Sequence, residues 1–377
     1  MIDTALIRRA EILEPDARRA VAAFAEQVRQ PDLAGVIFFC SANYDLEVIA
    51  EGMREAFDCP VVGCTTAGEI GTAYQANSIV GLGFPSSHFS MHPRLIGSMR
   101  DFGLTRAAML CEEVEPDLVF NERIGAKGMF GLLLVDGLSL LEEQVTANLY
   151  NAFNGMSIVG GSAGDDLKFV ETLVFVDGKF HRQAAVLTVI ETTLPFQVFR
   201  WQHFEPTDVD LVVTHSDPEI RTIYELNGGN AGDEYARALG LTRDQLETAI
   251  FSLHPLMIQI GDEWYVRSIS RMDPDGSLVL FCAIDTGLPL TIGRCVDYIE
   301  ALDAQIGRLR GEIGQPALTL GCDCILRRLE IFEKGIEGDV SKRLQSVNFL
   351  GFSTFGEQIN GLHVNQTLTG VAIGEGD

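Results

Sequence analysis

The sequence predicts an α/β protein with mixed sheets, organised as two related domains built from repeated β-α-β-plus-hairpin modules. Three observations point there. Apolar runs of strand length alternate with stretches whose apolar residues recur every three to four positions. The same pattern returns along the chain with glycines at matching places. The composition is that of a packed protein: of 377 residues 46% are hydrophobic and 21% charged, which excludes wholesale disorder.

Ala17, Val21, Phe24 and Val28 share one helical face, so residues 1–30 read as a helical lead-in. VIFFC (36–40) is a strand, Leu46, Ile49, Met53 and Phe57 mark a helix, and CPVVGC (59–64) is a second strand. Strand, helix and strand with short loops imply a right-handed crossover and a parallel pair. SIVGLGF (78–84) and FSMHPRL (89–95), joined by PSS, predict a hairpin. The pattern then repeats. GLLLV (131–135) is a strand, Leu141, Val145, Leu149 and Phe153 mark a helix, and SIVGGSAGD (157–165) is a strand entering a glycine turn. TLVFV and AAVLTVI around Asp177-Gly178 predict a second hairpin. A third copy lies at the C-terminus: ALTLGC (317–322), a helix through Ile325, Leu329 and Phe332, then LGFSTFGE (350–357), which overlays VGCTTAGE (62–69) at an offset of 288. The period is too long for a solenoid of short repeats. Pro195 and Pro206 bracket an aromatic stretch, which places the division between a domain of residues 31–205 and one of residues 206–377. Within 206–377 come the runs LMIQI, WYVRSI and SLVLFCAI, the turn DPDG (273–276), and a helix through Val296, Ile299, Leu302, Ile306 and Leu309.

Charge narrows the function. The chain has 28 Lys plus Arg against 53 Asp plus Glu, a net −25 with pI near 4.6. Such a surface repels nucleic-acid phosphates and anionic membranes. The first 20 residues have no apolar h-region, and no run of 18 apolar residues occurs, so neither a secretory signal nor a membrane span is expected. The eight cysteines contain no CxxC and sit mostly in apolar runs, which suits reduced thiols in the cytoplasm.

Several groups are candidates for chemistry. The turns Gly63–Glu69 and Gly351–Glu357 share P-loop glycine spacing, but a glutamate stands where the lysine belongs, and a carboxylate there repels a phosphate. Such a turn either caps its own amides or cradles a ligand. In the second reading Gly63, Thr65, Thr66, Gly68 and Glu69, with Gly351, Ser353, Thr354, Gly356 and Glu357, hold a small molecule at strand ends. His363, Asn365 and Thr367 alternate along one apparent strand and can line a pocket or form a solvent-facing edge. Arg267-Ser268 lies in an apolar run, where a buried arginine needs an anion; Asp285 or a ligand carboxylate is the expected partner. No HExxH or GxSxG occurs, and the acid pairs Glu112-Glu113 and Glu142-Glu143 read as solvated charge. Cys322 and Cys324, at a strand end before a helix, are the candidate reactive thiols. His203 in RWQHFEP has the aromatic neighbours that the pocket of an axial haem ligand wants, His254 in FSLHPLM is comparable, and His363 is a further candidate. No catalytic constellation is legible, so an enzyme is not expected.

VVGCTTAGEIG (61–71), the second turn at 159–165, VVTHSDPEIRTIYELNGGNAGDEYARALG (212–240), VRSISRMDPDGSLVLFCAIDTGLPL (266–290) and GFSTFGEQ with HVNQTLTGVAIG (351–374) together resemble FIST-domain sensory proteins, with an N-terminal and a C-terminal FIST part. The resemblance implies an intracellular sensory module for small ligands such as amino acids. As a lone FIST module the chain also resembles the stand-alone group that binds haem b, senses nitric oxide and modulates a partner histidine kinase. Three expectations follow. The first is a haem b sensor for nitric oxide, with His203 holding the iron and a histidine kinase or other signalling protein as partner. The second is a haem-free sensor in which Arg267 holds a ligand carboxylate and Glu357 or Glu69 its amine. The third, independent of the resemblance, is an enzyme using Cys322 or Cys324 as nucleophile, for which no base is identifiable in the sequence.

Overall fold

The computed structural model describes residues 7–118 and 128–375; residues 1–6 of the lead-in fall outside them. The fold is mixed α/β, in two compact units. One comprises Met1–Trp201, Asp303–Leu362 and Leu368–Asp377, the other Gln202–Leu302 and His363–Thr367.

The larger unit contains three copies of one module. In each, two parallel strands are joined through a helical crossover: Leu33–Ser41 with Val61–Thr66, Gly128–Val135 with Ile158–Ser162, and Pro316–Cys324 with Phe349–Thr354. A return strand lies antiparallel on the far side of the first strand: Ile79–Pro85, Ala185–Thr192 and Leu368–Gly374. Beyond it lies an edge strand that precedes the copy in sequence: Arg8–Ile12, Phe89–Ile96 and Phe196–Trp201. The crossover helices form for local reasons. Asp45 caps Leu46–Ala56 through the amides of Glu47 and Val48, and Ile49 and Met53 go into the core. In the same way Asp16 caps Ala17–Val28, which buries Val21, Phe24 and Val28.

Each module exports one short strand to another. Glu69–Ile70 of the first pairs with Gly351 and Phe352 of the third. Glu357–Ile359 of the third pairs with Val159, Gly160 and Gly161 of the second. Val174–Val176 of the second pairs with Gly63 and Cys64 of the first. The exchange therefore closes on itself.

The two expected hairpins form differently. Ile79–Pro85 and Phe89–Ile96 do not pair, because both edges of Ile79–Pro85 are taken by Arg8–Ile12 and Leu33–Ser41. The second of these strands goes to Ala185–Thr192 instead. Asp177-Gly178 does turn the chain, at φ +52° and +73°, but onto Lys179–His181. Ala185–Thr192 returns to its own module's sheet. Spatial grouping also differs from the expected division into residues 31–205 and 206–377. The third copy joins the first two, and residues 202–302 are inserted between its edge strand Phe196–Trp201 and the rest of it.

The smaller unit is an antiparallel sheet. Its long strand Phe204–Asp217 pairs with Pro289–Cys295 and Thr222–Leu226, and Leu256–Ile260 forms a hairpin with Glu263–Arg267. Leu211, Val213, Ile223, Leu226, Tyr235, Phe251 and Leu256 are among the residues of its core.

Candidate functional site

The glycine turns meet one another. Ala67 N donates to Ser353 O (2.9 Å), Gly164 N to Thr65 O (3.0 Å) and Phe355 N to Ser162 O (3.3 Å), a three-way set that matches the strand exchange. Within the turns Thr66 Oγ1 accepts from Gly68 N at 3.1 Å, and Thr354 Oγ1 accepts from Gly356 N at 3.2 Å. Thr354 Oγ1 donates to Ser162 O (2.7 Å), and Thr65 Oγ1 accepts from Leu173 N (3.0 Å). Ser353 Oγ accepts from Arg328 at 3.4 Å. Glu69 is buried, its carboxylate taking the hydroxyls of Thr66 (2.5 Å) and Ser78 (2.6 Å) and the amide of Ser78 (3.2 Å). Burial pushes this carboxyl up to about 7, against the opposing pull of those hydrogen bonds. Glu357 is likewise buried, inside the strand paired with Ile158–Ser162.

Gly63 and Gly351 are not cradle residues. A Cβ at Gly63 would stand 2.3 Å from Phe38 O, and one at Gly351 would stand 1.9 Å from Gly321 O. They are glycines because two strands approach too closely for a side chain. The ligand-cradle expectation for the two turns is thus replaced by a structural one: their polar atoms bind the protein itself and zip three modules together.

The smaller unit brings together a second set. Arg267 ends its strand with 7% of its surface exposed. Its Nη1 donates to two carbonyl oxygens, Val266 O (3.1 Å) and His363 O (3.5 Å). Among the described residues no carboxylate forms an ion pair with it; Asp285, the expected partner, is exposed. Ser268 Oγ donates to Gln366 Oε1 (2.8 Å), and Gln366 Nε2 donates to Ser252 O (3.1 Å). His363, Asn365 and Thr367 are all buried, so they form no solvent-facing edge. Nor do they share one strand. Pairing stops after Val364 and resumes at Leu368, with Gln366 at φ +50° between. Both polar atoms of the Asn365 amide are buried without a hydrogen-bond partner among the described residues. Gln366, which ties this segment to Ser268, was not singled out from the sequence; a glutamine beside an asparagine in a polar run carries no signal of its own.

The three histidines are dispersed. His203 is buried with its ring against Phe204 (4.3 Å between centroids) and Tyr298 (4.6 Å), an aromatic setting of the kind expected. His254 is half-buried and accepts the Tyr235 hydroxyl at its carbonyl (2.6 Å). None of the three histidines lines the cavities bordered by Asp136, by Phe175, by Gly52 or by Phe102. Cys322 and Cys324 are buried, and burial drives the Cys322 thiol well above its ordinary value, the reverse of what a nucleophile needs.

The three modules close on one another through exchanged strands and turn hydrogen bonds, with residues 202–302 inserted into the third. Sequence comparison agrees: the FIST N domain matches residues 34–229 and the FIST C domain residues 231–360, and the chain belongs to the FIST family. FIST domains are sensory domains of signal transduction that bind small ligands. These matches define the family as a whole and do not single out its stand-alone haem-binding group. No curated protein matches the chain. No helix among the described residues is long and apolar enough to cross a membrane.

Proposed function

We propose that this chain is a cytoplasmic, haem-free sensor of an amino acid or similar small carboxylate, and that Arg267 receives the ligand's carboxylate. The observation that carries the reading is the buried Arg267 guanidinium bonded to carbonyl oxygens and to no carboxylate. Removing a cation from water is costly, and a bidentate carboxylate is the natural compensation. The Asn365 amide, on the segment that touches Arg267 through His363 O, has donors and an acceptor to offer the same guest. Glu69 and Glu357 have no part in this version, since both are buried within the larger unit's strand exchange. Occupancy would be reported to a signalling protein, a histidine kinase being the class that the family resemblance suggests.

The test is a thermal-shift screen of free amino acids and short carboxylic acids on the wild type and Arg267→Met. A ligand at one hundred times its Kd stabilises by about 2.7 kcal/mol, a shift of several degrees. The wild type should respond to at least one carboxylate, and Arg267→Met should fold but lose the response. A colourless protein whose carboxylate response survives in Arg267→Met contradicts the assignment. A Soret band after incubation with haem b that moves on adding nitric oxide overturns the reading in favour of a haem sensor.

A further inference from the structure

The second module departs from its two counterparts in a way the Arg267 reading does not use. Gly68 O and Gly356 O accept from the neighbouring module's second strand, from Ser353 N (2.7 Å) and Ser162 N (2.8 Å). In the second module the equivalent acceptor is Leu173 O, which receives Thr65 N at 2.9 Å. Residues 165–172 are therefore additional to the shared turn. Additions to a repeat concentrate on binding faces.

The added loop is strained and held rigid. Asp166, Leu167 and Phe169 have φ of +55°, +64° and +53°, and Leu140 on a second loop has φ +58°. Bulky residues rarely adopt this conformation. The Asp165 carboxylate fixes the loop by accepting the amides of Phe169 (2.8 Å), Val170 (2.7 Å) and Glu171 (3.0 Å), and Phe169 stacks on Phe355 at 4.7 Å. Both loops line a cavity of about 580 Å³ at the carboxyl end of the strand Gly128–Val135. That size and position are those of small-molecule sites in open α/β sheets.

We propose that this cavity binds a small organic cation: a protonated amine with a short apolar body. Asp136, buried beside the cavity, takes Thr172 Oγ1 (2.5 Å) and Leu138 N (3.0 Å) on one oxygen and only Gln183 N (2.6 Å) on the other, which leaves acceptor capacity. The lining carries three carboxylates, Asp101, Asp136 and Glu171, against Arg100 and Arg182, and Arg182 is already paired with Glu171 at 2.6 Å. A chain of net charge −25 raises the local concentration of cations and lowers that of anions. Leu140 and Val170, 51% and 78% exposed, supply the apolar wall.

The experiment titrates the full chain with n-hexylammonium and with hexanoate, which share an apolar body and differ in charge, by calorimetry and saturation-transfer NMR. Hexylammonium should saturate with a Kd of about 1 mM or below, and hexanoate should not. Asp136→Asn and Val170→Trp, the second filling the mouth from an exposed position, should each weaken hexylammonium about tenfold or more. Arg267→Met should leave it unchanged, which separates this site from the carboxylate site. The proposal is overturned by equal binding of hexanoate, by no binding of hexylammonium up to about 10 mM, by indifference to Val170→Trp, or by loss of binding in Arg267→Met. Should Asp136→Asn fail to fold, Val170→Trp decides.

Discussion

Glu69 illustrates how a residue's chemistry can be read correctly and its purpose missed. An acid at the end of a glycine turn was visible in the sequence as either a cap or a ligand group. Only the fold shows that both carboxylate oxygens face hydroxyls of the same module. The pH consequence follows. An unfolded glutamate titrates near ~4.3, whereas burial raises Glu69 to about 7 in the folded state. Between those values the native state holds a proton that the unfolded chain has released. This contribution is complete below the unfolded value and is lost as pH rises through about 7. Glu69→Gln removes it, so the Tm of the variant relative to wild type should climb by a few degrees from pH 5 to pH 8. A difference that is flat or falls with pH would show that Glu69 is not held protonated.

At the scale of elements, strands and helices inside each copy were legible because apolar periodicity is local. Their partners were not. Ile79–Pro85 and Phe89–Ile96 look like a hairpin from their spacing, yet pairing is decided by which edges remain open once the whole sheet exists. The strands Arg8–Ile12 and Glu357–Ile359 were missed for a related reason: too short and too polar to alternate, they are strands because a neighbour's edge accepts them. The Asp165 carboxylate accepts three amides of the loop 165–172, and this hold is testable. Asp165→Ala releases three amides at once. Amide hydrogen exchange across 167–172 should accelerate by at least tenfold, while the strand Ile158–Ser162 stays protected. Unchanged exchange would mean that the stacking of Phe169 on Phe355 suffices.

For the molecule as a whole, three similar copies were apparent in the sequence, and their grouping was not. Sequence order suggests a cut after the second copy, while the structure returns the third copy to the first two and sets residues 202–302 aside as an insert. The candidate Arg267 and the polar run 363–367 were legible as chemistry; that they share a unit was not, because some ninety residues separate them. The insert interrupts the third copy after Trp201 and leaves intact the hydrogen bonds that join the copies. Replacing residues 202–302 with a flexible Gly/Ser linker should therefore give a chain that keeps cooperative unfolding and β-rich circular dichroism while losing any carboxylate response. A molten product would show that the ring depends on the insert.

The circular lending of strands bears on how the chain is made. No copy can finish its own sheet: the first awaits a strand from the second, the second from the third, and the third from the first. While the polypeptide is still emerging from the ribosome, the edges meant for Val174–Val176 and Glu357–Ile359 stay open until those strands, the last at residues 357–359, have been made. Such an arrangement favours late, all-at-once closure over stepwise assembly. It also makes a prematurely stopped chain sticky rather than merely shorter, a natural client for chaperones.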